Sequence, residues 1–175
     1  MNLILFGFKS CGKTTLGKML AVRMDRPFFD TDEMLERLHE ELTAEKLPFR
    51  QIYKKIGEQG FRRLESDVVE QLKHVKNSII ALGGGLILAP QNAAALAKLG
   101  QLVYLKVSKE TLKKRILGKE APPFLDPDNF EQFYNERRTQ YEAIPALSID
   151  LESKTQDQVV LELSALILSR EEHGQ

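Results

Sequence analysis

The sequence predicts one three-layer α/β/α domain built around a central parallel sheet. Two observations carry that expectation. The chain opens with an apolar run, Leu3-Ile4-Leu5-Phe6, that passes directly into a glycine-bearing turn and then a helical pattern from Thr15 to Met24. Thereafter short apolar runs alternate with helical segments, and parallel strands need such crossovers. The 175 residues fit a single domain with a substantial core, with no internal repeat, low-complexity stretch or clear linker.

The elements follow in order. Pro27 to Asp30 is a second short strand, and Thr31 or Asp32 caps a helix that begins near Glu33, with Leu35, Leu38 and Leu42 as its apolar stripe. The charged stretch His39–Lys46 is expected as an exposed helix end or loop, and His39, His74 and His173 as surface residues. Phe49 to Ile56 is a helix closed by Gly57, and Glu58 to Val75 is a longer one. Ser78 to Leu82 is a buried strand that ends in Gly83-Gly84-Gly85, and Gln101 to Val107 is another strand. Ser108 caps a Lys109–Leu117 helix, and the polar, proline-bearing stretch from Gly118 to Asp128 is a loop. Phe130 to Ala143 is helical, Ala146 to Asp150 is a late strand, and Gln156 to Ser169 is the closing helix. The tail Arg170–Gln175 has little to bury and is expected to fray.

Gly7-Phe8-Lys9-Ser10-Cys11-Gly12-Lys13-Thr14 fits G-x-x-x-x-G-K-[ST] between a strand and a helix, the context such a phosphate loop requires. Its backbone N–H groups and the helix N-terminus attract phosphate oxygens, Lys13 reaches the β- and γ-phosphates, and the Thr14 hydroxyl holds Mg²⁺. A nucleoside triphosphate is the expected ligand. Asp30-Thr31-Asp32 places two carboxylates at the end of the second strand, where α/β proteins bind ligands, although a turn with a helix cap uses the same residues. Arg62 and Glu65 share one helix side, and a guanidinium fork there can grip a carboxylate, although an Arg-Arg pair on a charged helix also suits solvent. Three consecutive glycines after a buried strand let backbone amides come close to a ligand.

These motifs stand in a recognisable order: the strand-borne phosphate loop, Phe-x-Asp-Thr-Asp (28–32), Gly-Glu-x-x-Phe-Arg-x-x-Glu (57–65), Leu-Gly-Gly-Gly (82–85) and Glu-Arg-x-x-x-Tyr (136–141). The chain resembles the shikimate kinase family from Leu3 to about Asp150. The resemblance implies a P-loop kinase fold over residues 1–175, with a substrate-binding insertion at about 32–62 and a lid at about 116–128. It implies phosphorylation of the shikimate 3-hydroxyl by ATP, with Mg²⁺, in aromatic amino-acid biosynthesis. Lys13 and Asp32 would then be catalytic, and Thr14 and Asp30 would hold the metal and its water shell. Ser10, Cys11, Gly12, Lys13, Thr14, Thr15, Arg115 and Lys119 would bind the nucleotide, with Arg115 against the adenine. Asp32, Arg62, Arg137 and the backbone of Gly83, Gly84 and Gly85 would bind shikimate, the two arginines clamping its carboxylate.

The chain departs from the family pattern in its lid. Pro122 stands where the family carries an arginine before a proline-leucine-leucine run, and Lys119 or Arg138 are the cations that could stand in. Arginine fingers in related chemistry contribute roughly 10³ to 10⁵ in rate. Two alternatives therefore accompany the main expectation: a kinase of another small hydroxy acid such as gluconate, or of a nucleotide, and a nucleotide-binding relative with impaired turnover. Ser10 also replaces a common glycine, at little expected penalty, and Cys11 is expected as a packed filler rather than a modifiable thiol.

Composition sets the remaining bounds. Lys plus Arg and Asp plus Glu number 25 each, so nucleic-acid binding by bulk charge is not expected. One cysteine supplies neither a disulfide framework nor a multi-cysteine metal site, and is compatible with a reducing compartment. Without an apolar stretch of roughly 20 residues or a secretory leader, the expectation is a cytoplasmic monomer with no membrane partner.

Overall fold

The computed structural model describes residues 1–117 and 129–172. Most of the expected lid, with Lys119 and Pro122, lies outside the described residues, as does the end of the tail. Five parallel strands form one sheet: β1 (Asn2–Phe6), β2 (Phe28–Asp30), β3 (Ile79–Ala81), β4 (Gly100–Lys106) and β5 (Leu147–Asp150), in the order β2-β3-β1-β4-β5. β1 is central and wholly buried, pairing Ile4 with Ile80 on one side and with Leu102 on the other. The chain fills one side of β1 with β2 and β3 before crossing to β4 and β5. The turns after β1, β2 and β3 consequently meet at one carboxyl edge of the sheet, where doubly wound sheets bind ligands.

Helices α1 (Lys13–Met24), α2 (Thr31–Thr43), α3 (Phe49–Leu72), α4 (Pro90–Leu99), α5 (Lys109–Leu117), α6 (Phe130–Glu142) and α7 (Gln156–Glu172) surround the sheet. The main core joins β1, β3 and β4 to α1, α6 and α7. A second apolar cluster of Leu35, Ile52, Phe61, Leu64 and Val68 lies between α2 and α3, so this pair carries its own small core beside the sheet edge. The two helices expected at 49–56 and 58–75 form one continuous element kinked at Gly57, whose φ of 72° and ψ of 176° break the helical run.

Several local expectations are corrected. α2 starts at Thr31, not near Glu33, and its cap is Asp30, whose carboxylate accepts a hydrogen bond from the Asp32 N–H at 3.0 Å. Thr31 is turned away from that duty, because its hydroxyl accepts the Gly83 N–H at 2.7 Å. His39 is buried, not superficial: it sits on the α2 side facing the small core, with Nδ1 3.2 Å from the Glu45 carbonyl and 3.3 Å from the Thr43 hydroxyl. α4 has no counterpart among the expected elements, since its inward face relies on Asn92 and Leu96 among alanines and shows little apolar contrast. The tail does not fray at Arg170. α7 continues to Glu172, and Glu171 receives both Arg26 Nη2 contacts at 2.7 and 2.8 Å.

Candidate active site

The phosphate loop links β1 to α1 and is held from inside. Lys13 is buried, and its ammonium donates to the carbonyls of Gly7 at 3.0 Å and Phe8 at 2.8 Å. Thr14 lies at the exposed start of α1 and donates its hydroxyl to Asp30 Oδ2 at 2.7 Å. The two expected metal-site residues are thus joined, although they come from different strand ends. Ser10 adopts φ 65°, the left-handed conformation that glycine takes without strain, so its replacement of glycine is less free than expected. Cys11 is 1 % exposed and packs into the main core, as a filler residue does.

Ser10, Cys11, Gly12 and Thr15 form one wall of an open groove of about 750 Å³, faced by Arg115, Leu151, Lys154 and Gln156. Arg115 reaches the loop itself, donating Nη1 to the Cys11 carbonyl at 2.8 Å. Lys154 and Gln156 were not anticipated, because they belong to the segment after β5, where no motif marks them. Arg138 is not positioned to replace a lid cation. It pairs with Glu142 at 3.1 Å and lines a separate polar hollow with Tyr104, Lys106 and Asp150.

On the other side of the loop lies a cleft of about 740 Å³, counted to its open mouth. It brings together Asp32, Arg62, Arg137 and Gly83 to Gly85, and adds Lys9, Phe49, Tyr53, Phe61, Glu65, Phe133 and Tyr141. Every acceptor-binding residue named from the sequence therefore borders one space. Arg62 is fixed by Glu65 at 2.7 Å, with Glu58 at 3.8 Å. Glu65 is itself almost fully buried, and that burial raises its carboxyl above the ordinary range despite the guanidinium. Arg137 stacks over Phe133, 5.6 Å from the ring centre. Tyr141 donates to the Gly84 carbonyl at 2.5 Å and fixes the glycine strip from α6.

The glycines are required by close approach. A side chain on Gly83 would collide with Asp32 Oδ1, and one on Gly85 would begin 2.8 Å from Arg62 Nη1. Asp32 is pushed up to about 6, first by burial and then by the neighbouring Asp30, with Lys13 and Lys9 pulling the other way. A carboxylate poised there can accept a hydroxyl proton near neutral pH. Lys9 escaped the sequence reading because it occupies a freely variable position of the loop pattern, and neither its spacing nor its neighbours mark it.

A phosphate loop beside a polar cleft with two arginines and a raised carboxyl defines a P-loop kinase of a small anionic acceptor. Residues 9–167 match the family model described as shikimate kinase. The shikimate kinase of Caldanaerobacter subterraneus subsp. tengcongensis is 34% identical over 165 residues, covering 93% of each chain. A solved shikimate kinase from Acinetobacter baumannii in complex with shikimate superposes with a TM-score of 0.84 at 30% identity, covering 97% of this chain and 93% of that one. The enzyme from Aquifex aeolicus gives 0.81 at 29% identity over the full length of both. The chain belongs to the shikimate kinase family. Its reaction is the ATP-dependent phosphorylation of shikimate.

Proposed function

We infer that phosphoryl transfer takes place at the boundary between the two spaces on either side of the phosphate loop, from ATP in the Arg115 groove to the 3-hydroxyl of shikimate in the Asp32–Arg62–Arg137 cleft. The observation that carries this reading is the convergence of Asp32, Arg62, Arg137 and the three glycines on one cleft adjoining the loop. Shikimate is a small carboxylate with three hydroxyls, and two guanidinium groups with one carboxylate complement it. Arg62, anchored by Glu65, and Arg137 would grip the carboxylate, while Asp32 would orient the attacking hydroxyl and take its proton. Lys13 would exchange its loop carbonyls for phosphate oxygens. The exposed Thr14 hydroxyl and Asp30 carboxylate fit an Mg²⁺ ion, which characteristically takes one or two protein oxygens together with phosphate and water. When bound, that ion would neutralise charge on the β- and γ-phosphates.

The α2–α3 pair, with its separate small core, would be the substrate-binding insertion that covers the acceptor, and the segment 116–128 would be the lid. A cytoplasmic monomer completes the reading; among the described residues no helix is long and apolar enough to cross a membrane. ADP release measured with shikimate and with gluconate tests the acceptor. Turnover on gluconate but not on shikimate would overturn it.

A further inference from the structure

The phosphate loop carries two lysines, and they face different ways. Lys13 turns beneath the loop to the Gly7 and Phe8 carbonyls. Lys9 instead enters the acceptor cleft, with Nζ 3.9 Å from the centre of the Phe49 ring at the start of α3. Its stem emerges at the seam between the loop and the glycine strip: the Lys9 N atom is 3.5 Å from where a Gly84 side chain would begin. The ammonium is therefore on the path from the loop to the acceptor. It is also differently engaged from the other cations of the cleft. Arg62 is bound by Glu65 and Glu58, whereas Lys9 rests on a neutral ring within the attraction of Asp32. A cation–π contact of this kind is readily exchanged for a charge-assisted hydrogen bond to a phosphate oxygen. Burial holds the Lys9 amine below its ordinary value, so the site favours an added anionic partner.

We propose that Lys9 is a catalytic cation of this kinase, which leaves the Phe49 ring and donates to an oxygen of the phosphoryl group as that group passes to the acceptor. This rests on the acceptor site proposed above. In the transfer, the acceptor oxygen forms a bond to the γ-phosphorus. The bond from that phosphorus to the β–γ bridging oxygen breaks, and its electron pair stays on ADP. The hydroxyl proton passes to Asp32. Lys9 gains and loses no proton; it stabilises oxygens whose charge moves from the donor side of the loop to the acceptor side.

Lys9→Met and Lys9→Arg in the full chain test the proposal, read by steady-state kinetics and by calorimetric titration with MgATP, shikimate and shikimate 3-phosphate. Lys9→Met is expected to lower kcat by about 10²-fold, the usual effect of removing one preorganised donor from a transition state. MgATP affinity should be unchanged, which also reports an intact loop, and shikimate affinity should be kept while that for shikimate 3-phosphate falls. Lys9→Arg should recover most of the rate. An unchanged kcat, a higher KM for shikimate at unchanged kcat, or equal weakening of shikimate and its phosphate would each overturn the assignment. Failure of the underlying reading looks different: the unaltered chain would not turn over shikimate, or Arg62→Ala would leave its KM untouched.

Discussion

Gly85 and Arg62 are mutually exclusive with any side chain between them: a Cβ at residue 85 would begin 2.8 Å from Nη1 of the guanidinium. The obstructed atom is the end of a flexible side chain, so Gly85→Ala should displace the guanidinium rather than unfold the strip. Denaturation midpoints should scarcely move, while the KM for shikimate rises about tenfold or more, as expected when a clamp is misplaced by about 1 Å. The KM for ATP should be unaffected. A variant with unaltered shikimate kinetics would show that Arg62 does not work from its observed position.

Arg62→Ala removes the clamp itself and leaves Glu65 buried without its partner at 2.7 Å. Two separable effects follow. The KM for shikimate should rise about 10²-fold, in line with loss of a charge-assisted contact worth roughly 1.5–3 kcal/mol. Stability should also fall, and the more so as pH rises, because an unpaired buried carboxylate is costly only when ionised. Adding Glu65→Gln should restore much of the stability but none of the affinity. Stability and affinity that are recovered together, or stay lost together, in the double variant would contradict this division.

The raised carboxyl of Asp32 couples activity to stability with opposite signs. Its folded value of about 6 lies above the ordinary aspartate value of 3.8, so between these limits the folded chain holds more protons than the unfolded one. Stability from this group is therefore complete below about pH 4 and is lost as pH rises through about 6. At pH 7 Asp32→Asn, which cannot ionise, should stabilise the unliganded protein by up to roughly 3 kcal/mol, a rise of up to about 6–12 °C in Tm. The same variant should lose shikimate turnover. Where Asp32 acts as base, kcat/KM in the parent should climb with pH through about 6. A destabilised Asp32→Asn, or a profile flat across that range, would show that burial is not governing this carboxyl.

Much of this arrangement is legible from residue order alone, because the phosphate loop, Asp30-Thr31-Asp32 and Gly83-Gly84-Gly85 each terminate a strand. Parallel topology then forces those strand ends to one edge. The less legible parts depend on what a residue meets across space. His39 looks like surface within a charged run, yet it is buried, with the Glu45 carbonyl of the segment after α2 turned back against its Nδ1. α4 is hidden because alanines provide helix propensity without an apolar stripe. The direction of Lys9 is set by the seam between loop and glycine strip, which no local pattern encodes. The helix cap shifted to Asp30 for the same kind of reason, since Thr31 is claimed by the Gly83 amide 52 positions away.

Gly57 joins the two halves of α3 on which the cleft wall is built, with Tyr53 before it and Arg62 after it. Its φ of 72° and ψ of 176° lie where residues with a Cβ are strained, while no atom lies within 4 Å of where that Cβ would sit. The cost of Gly57→Ala is thus conformational and not steric, of order 1–3 kcal/mol. Two outcomes can share that strain: a drop in Tm of roughly 2–4 °C per kcal/mol, or a straightened α3 that swings Arg62 out of the cleft. The second would raise the KM for shikimate and leave that for ATP alone. Measuring both in Gly57→Ala and in Gly57→Asn checks the account, because these angles lie in a region confined essentially to glycine, outside the left-handed helical well that asparagine tolerates. The two variants should be impaired alike, and an asparagine variant that behaves as the parent would show that the backbone angle is not what the glycine supplies.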